Sequence, residues 1–171
     1  RRAVTAQRNG RHARAIDLLV PLHQEHPGNR WFALPLARAL NDRGNRAEAD
    51  RILEELIALY PDDTSLLRVE IDWMLDRGDV ETAYRKARDA FEARPEAPRA
   101  VLALSRAASA SGRIMEHHEH LGRYFLLEGN LVAAHQELET AYTFTADRPR
   151  AQARIDALLE EIERRAGHGD E

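Results

Sequence analysis

Four glycines in this chain, Gly10, Gly44, Gly78 and Gly112, follow one another at intervals of 34 residues. Two further ladders keep the same interval: Pro27, Pro61 and Pro95, and Ala15, Ala49 and Ala83. Three independent ladders with one period require a repeated structural unit. A unit of about 34 residues is a pair of antiparallel helices, which cannot bury its apolar face alone and must stack on its neighbours.

Each ladder has a physical reason. The glycines lie in R-N-G-R, D-R-G-N, D-R-G-D and A-S-G-R, between two apolar-periodic stretches. Glycine there can take the left-handed conformation that ends a helix and opens a tight turn. The alanines follow five residues later, where a small side chain lets the two helices of a unit approach closely. The prolines come after the second helix, in E-H-P, L-Y-P and A-R-P, and stop it. Between these markers Ile52, Leu53, Leu56, Ile57 and Tyr60 share one helical face, and Leu67, Ile71, Met74 and Leu75 share another. The pattern predicts helices over 2–8, 12–25, 31–43, 46–59, 64–77, 80–93, 98–111, 114–128, 131–145 and 149–165. Pro21 and Pro35 fall inside two of them and are expected to bend them locally.

The period slips near the C-terminus, where Gly129 follows Gly112 by only 17 residues, half the interval. The helix near 114–128 is therefore expected to serve both as the second helix of one unit and the first of the next. The final helix carries Ile155, Leu158, Leu159 and Ile162 on one face and charges on the other, the pattern of a cap on an exposed end. The expected fold is all-α, a right-handed superhelical solenoid over residues 1–166. Its units lie at about 1–29, 30–63, 64–97, 98–128 and 115–147, with a capping helix at 149–165 and a disordered tail at 167–171.

Composition narrows function. Hydrophobic residues make up 43% and charged residues 32%, enough for a core. The net charge of −4 argues against a nucleic-acid partner, which needs a basic face to neutralise phosphates. No apolar run of about 18 residues offers a transmembrane segment. The chain has no cysteine, hence no disulfide and no thiolate metal site. Lys86 is its only lysine, so the basic surface is nearly all arginine, rich in bidentate donors. Arg1 opens mid-repeat and without a methionine, which reads as a piece of a larger protein.

The repeat residues resemble the tetratricopeptide-repeat (TPR) family. The stretch Leu121–Ala134, L-G-R-Y-F-L-L-E-G-N-L-V-A-A, carries its pattern most fully. Three segments resemble more narrowly the C-terminal TPR region of BepA-like β-barrel assembly-enhancing proteases: Leu18–Asn29, Gly122–Ala141 and Ala153–Ile162. That resemblance implies a periplasmic location and a parent protein with a zinc metallopeptidase domain. Its implied partners are the outer-membrane assembly machinery and unfolded outer-membrane proteins. The family's catalytic H-E-x-x-H is absent, since His118-Glu119 is followed by His120-Leu121-Gly122, so no catalytic residue carries over. The alternative is a TPR adaptor or self-assembly module of an unrelated multidomain protein.

In a TPR frame the first helix of each unit lines the concave face through positions 2, 5, 9, 12 and 13. This selects a partner-binding groove of Trp31, Arg38, Asn41, Arg68, Asp72, Arg99, Arg106 and Arg123, with Glu119 and Leu126 beside Arg123. Several arginines on such a surface can hold carboxylates and carbonyls of an extended protein or peptide segment. Against this stands a solvated charged face, partly neutralised by Asp42, Asp72 and Asp76, whose exposed pairs are worth about 0–1 kcal/mol each. The run Glu116-His117-His118-Glu119-His120, with His135 on the next helix, is the one metal-like cluster. It lacks a third converging ligand, and a polar helix surface is expected instead. Trp31 is the aromatic expected to be exposed, and most others are expected to be core. Ser105, Ser109 and Ser111 have no histidine at a motif spacing, and no glycine-rich phosphate loop occurs. The expected function is non-catalytic protein binding, with no metal and no cofactor.

Overall fold

The computed structural model describes residues 12–167. Among them the chain is all-α: α1 His12–Glu25, α2 Arg30–Asp42, α3 Arg46–Leu59, α4 Thr64–Asp76, α5 Val80–Ala93, α6 Pro98–Ala110, α7 Ile114–Leu127, α8 Leu131–Tyr142 and α9 Pro149–Gly167. The expected helix at 2–8 lies outside the described residues. The others start and end within a residue or two of the predicted bounds, except α8, which stops three residues early at Tyr142. Phe144 and Thr145 turn the chain there, and the buried Thr145 hydroxyl donates to the Tyr142 carbonyl at 2.8 Å. Both interior prolines are accommodated, Pro21 in α1 and Pro35 in α2.

Gly44, Gly78 and Gly112 have φ of 86°, 82° and 72°, the left-handed value that closes each helix before its turn. Ala15, Ala49 and Ala83 are completely buried, as their close-approach role requires. The chain divides into two compact units, one ending at Glu70 and the other starting at Ile71, with the boundary inside α4.

In the first unit α2 packs between α1 and α3. Its core includes Leu19, Leu36, Leu40, Ile52, Leu53 and Leu56. Tyr60 departs from expectation. It lies just beyond α3, is 37% exposed, and its hydroxyl donates to the Gly28 carbonyl at 3.1 Å. On α4 the expected apolar face is also shifted. Leu66, Val69, Ile71 and Trp73 are buried, whereas Leu67, Met74 and Leu75 are half-buried.

In the second unit α6 packs on α5 and α7, α8 on α7, and α9 on both α8 and α7. Leu126, Ala134, Leu138, Ala141, Ile155 and Ile162 form one core cluster, with Leu158 and Leu159 against it. The capping stripe of α9 thus faces inward as the sequence predicts. Burial of one such leucine or isoleucine contributes about 1.5–3 kcal/mol. Close contact of α7 with α8 is set by Gly122: a Cβ there would stand 2.7 Å from Leu138 Cγ and 3.2 Å from the Ala134 carbonyl oxygen.

Candidate protein-binding surfaces

In the first unit the exposed side of α2 begins at its cap. Asn29 Oδ1 accepts from the Trp31 amide at 3.0 Å, which fixes the first helical turn. Trp31 is then 77% exposed, with the Arg30 guanidinium 5.8 Å from its ring centroid. Arg38 and Asn41 continue the same stripe, both half-buried, while Ala33, Leu36, Ala37 and Leu40 face the core. Arg68, on α4, is likewise half-buried. Next to Trp31, Arg30 is ion-paired with Asp63 and helps to line a cleft of about 470 Å³ with Leu59, Tyr60, Pro61 and Asp62. Tyr60 was expected on the apolar face of its helix and is instead 37% exposed, and Leu59 beside it is 59% exposed. Tyr60 misled because the apolar period of α3 runs to its end, where the chain has already left the helix.

In the second unit Arg99 and Arg106 are exposed on α6, opposite its buried face of Ala100, Val101, Ala103, Leu104, Ala107 and Ala108. Arg106 Nη1 lies 2.9 Å from Asp72 Oδ1. The structure brings these two predicted residues together, and their charges offset one another. Arg123 is turned to α5, with its guanidinium 5.4 Å from the Phe91 ring centroid. Glu119, placed on the same expected surface, is buried and bound to Arg154 of α9 through bonds of 2.9 and 2.7 Å. Leu126 is core.

The histidine-rich run is resolved by the direction each side chain takes from α7. Glu116 accepts the Tyr84 hydroxyl of α5. His117 reaches α6, with Nδ1 2.9 Å from Ser105 Oγ and 3.1 Å from the Ser105 carbonyl oxygen. His118 reaches α8, with Nδ1 2.7 Å from Glu137 Oε2. Glu119 reaches α9, and the His120 ring meets Phe91 of α5 edge-on at 4.9 Å. Consecutive residues on a helix are about 100° apart, so the run fans out to four neighbours, and only Glu116 and His120, one turn apart, face the same helix, α5. Among the described residues no three histidine or carboxylate side chains converge as a metal site would require.

Sequence spacing did not reveal the Ser105–His117 contact, because it is made across two helices. It has the wrong polarity for a nucleophile and base. The Ser105 carbonyl can only accept, so Nδ1 is the protonated nitrogen and donates. The serine hydroxyl in turn donates to the His117 carbonyl at 3.1 Å. Ser105 is fully buried, and the pair is a clasp between α6 and α7.

Among the described residues Tyr84 and His120 are shifted far from their ordinary values. Burial, with the bond to Glu116 next, pushes Tyr84 up to about 12. Burial pushes His120 down to about 4, so its imidazole is neutral near pH 7. Both sit between α5 and α7 and are packing groups.

A tetratricopeptide-repeat family model matches residues 6–69. The chain is similar to solved structures of MamA, one with 17% identity, a TM-score of 0.61 and 96% of both chains covered. MamA from Desulfovibrio magneticus RS-1, from residue 41 to its end, gives 17% identity and a TM-score of 0.59 over 95% of this chain and 91% of that one. A Podosopora anserina kinesin-light-chain-like protein of nearly identical TPR-like repeats gives 23% and 0.59, over 96% and 92%. No curated protein matches the sequence. At these identities the likeness carries the fold. The sequence thus matches the tetratricopeptide repeat over residues 6–69, and the chain shares the fold of these solved structures over nearly its whole length.

Proposed function

We propose that the chain is a non-catalytic scaffold that binds extended segments of other proteins along the exposed stripes on the first helix of each repeat unit. The observation that carries this reading is Trp31. A tryptophan left 77% exposed at the capped start of a helix forgoes most of the stabilisation its burial would give. Exposed aromatic anchors flanked by arginine are the usual centres of protein interfaces. Arg38 and Asn41 extend that stripe in the first unit. Arg99 and Arg106 offer a corresponding one on α6, where Asp72 tempers the charge and would favour mixed polar segments over strongly acidic ones.

The finer reading rests on the three stretches that resemble BepA-like proteins. On it, this is the binding part of a periplasmic metalloprotease that acts on outer-membrane protein assembly. Upstream sequence with H-E-x-x-H on a helix, preceded by a secretory signal, would support it. A different upstream domain would favour the adaptor reading. The binding role itself is tested by affinity capture with the isolated chain, followed by Trp31→Ala and by joint charge reversal of Arg38, Arg68 and Arg106. Loss of the captured partner is expected, and unchanged capture in both variants overturns the proposal.

A further inference from the structure

We infer that the cleft between the α6–α7 turn and the α8–α9 loop is a separate peptide-docking site, selective for an acidic segment that carries an apolar side chain beside a carboxylate. The cleft has a volume of about 480 Å³ and is lined by Arg113, Ile114, Met115, Glu116, Phe144 and Arg148. None of the stripe residues of α2, α4 or α6 contributes to it.

The charges in the cleft are unequally engaged. Arg113 is held by both oxygens of Glu81 at 3.1 Å, and its guanidinium lies 3.9 Å from the Tyr84 ring centroid. Glu116 receives the Tyr84 hydroxyl. Among the described residues Arg148 has no carboxylate partner, not even Asp147 next to it. Its Nη1 reaches only the Met115 sulfur, at 3.7 Å. A thioether is a weak acceptor, so nearly all five guanidinium donors stay available, and their fork fits a carboxylate.

The walls supply the apolar half. Ile114 and Phe144 both line the cleft and are 42% and 47% exposed. Phe144 is stacked on His118 at an interplanar angle of 3°, and Glu137 fixes His118 in turn. The loop carrying Arg148 is tied by its amide to the Thr145 carbonyl at 2.7 Å. Rigid walls around an unsatisfied guanidinium reduce the ordering cost of docking. A basic segment would meet Arg148 with like charge and is disfavoured, since Arg113 is already offset by Glu81.

The test uses the full chain labelled with ¹⁵N, and the peptide acetyl-Glu-Phe-Glu-amide as the probe. The expected result is amide shifts confined to residues 112–116 and 143–148. Acetyl-Gln-Phe-Gln-amide and acetyl-Glu-Ala-Glu-amide should each bind more weakly. Arg148→Gln should weaken the probe by about tenfold, the effect of one charge-assisted bond, and Arg148→Lys should weaken it less. Charge reversal at Arg38 and Arg106 should leave probe binding unchanged, which separates this site from the stripes. The inference is overturned by the absence of shifts at millimolar probe, by equal binding to Arg148→Gln, or by shifts that map to α2 and α6 instead.

Discussion

The Glu119 carboxylate, buried on α7, takes both of its strong hydrogen bonds from the half-exposed Arg154 guanidinium of α9. The pair joins the last helix to the interior of the second unit at a point where apolar contact alone would leave a charge stranded. Removing Arg154 leaves that charge buried and unpaired. Breaking a fully buried pair costs about 3–5 kcal/mol, and the exposure of Arg154 lowers the figure. Arg154→Ala should therefore destabilise by about 2–3 kcal/mol in urea denaturation. The double variant Glu119→Leu/Arg154→Leu should recover most of that loss. If the single and double variants fall equally, the cost lies in packing rather than charge.

Gly122 tests the α7–α8 approach. Alanine would gain about 1 kcal/mol of helix propensity. Its methyl group, however, would meet the branch carbon of the fully buried Leu138 and a backbone oxygen, neither of which can yield easily. Overpacking of this kind costs about 1–3 kcal/mol, so a net loss of roughly 1–2 kcal/mol is expected. A thermal melt showing Gly122→Ala more stable than the parent would mean that the two helices separate readily.

His120 sets an acid limb. Its folded value of about 4, lowered chiefly by burial, lies beneath the ordinary 6.5. Between those values the unfolded chain takes up a proton that the folded chain refuses. The contribution is thus fully present above pH 6.5 and is lost as pH falls toward 4, by up to about 1.4 kcal/mol per pH unit. His120→Leu should flatten this part of the stability–pH curve. An unchanged slope in the variant would assign the limb to other groups.

Zinc should find no home on α7. Calorimetric titration of the chain is expected to give no saturable stoichiometric heat, because His117, His118 and His120 reach α6, α8 and α5 respectively. Tight one-to-one binding that disappears in His117→Ala/His120→Ala would contradict the radial arrangement.

The repeat was legible because its markers are local. Gly44, Gly78 and Gly112 dictate left-handed turns, and Ala49 and Ala83 dictate close approach, wherever the helices lie in space. Helix ends were legible for the same reason, apart from α8, whose last predicted turn gives way to the loop held by Thr145. What one helix does to another was harder to read. Glu119 and Arg154 are 35 residues apart, and Ser105 and His117 lie on different helices, so neither contact leaves a periodic trace. The exposure of Trp31 followed from its place in the first turn of α2. The engagement of Arg106 by Asp72, and of Arg123 by Phe91, depended on side-chain reach that spacing does not encode.

Repeat proteins commonly evolve by gaining or losing whole modules, since each module touches only those beside it. A helix with a different companion on every side is poor material for such editing. Excising α7, or copying it in tandem, would at once orphan Tyr84, Ser105, Glu137 and Arg154. Natural length variation among relatives of this chain is therefore expected to fall before Val80, and the stretch from there to Gly167 to be inherited as a block.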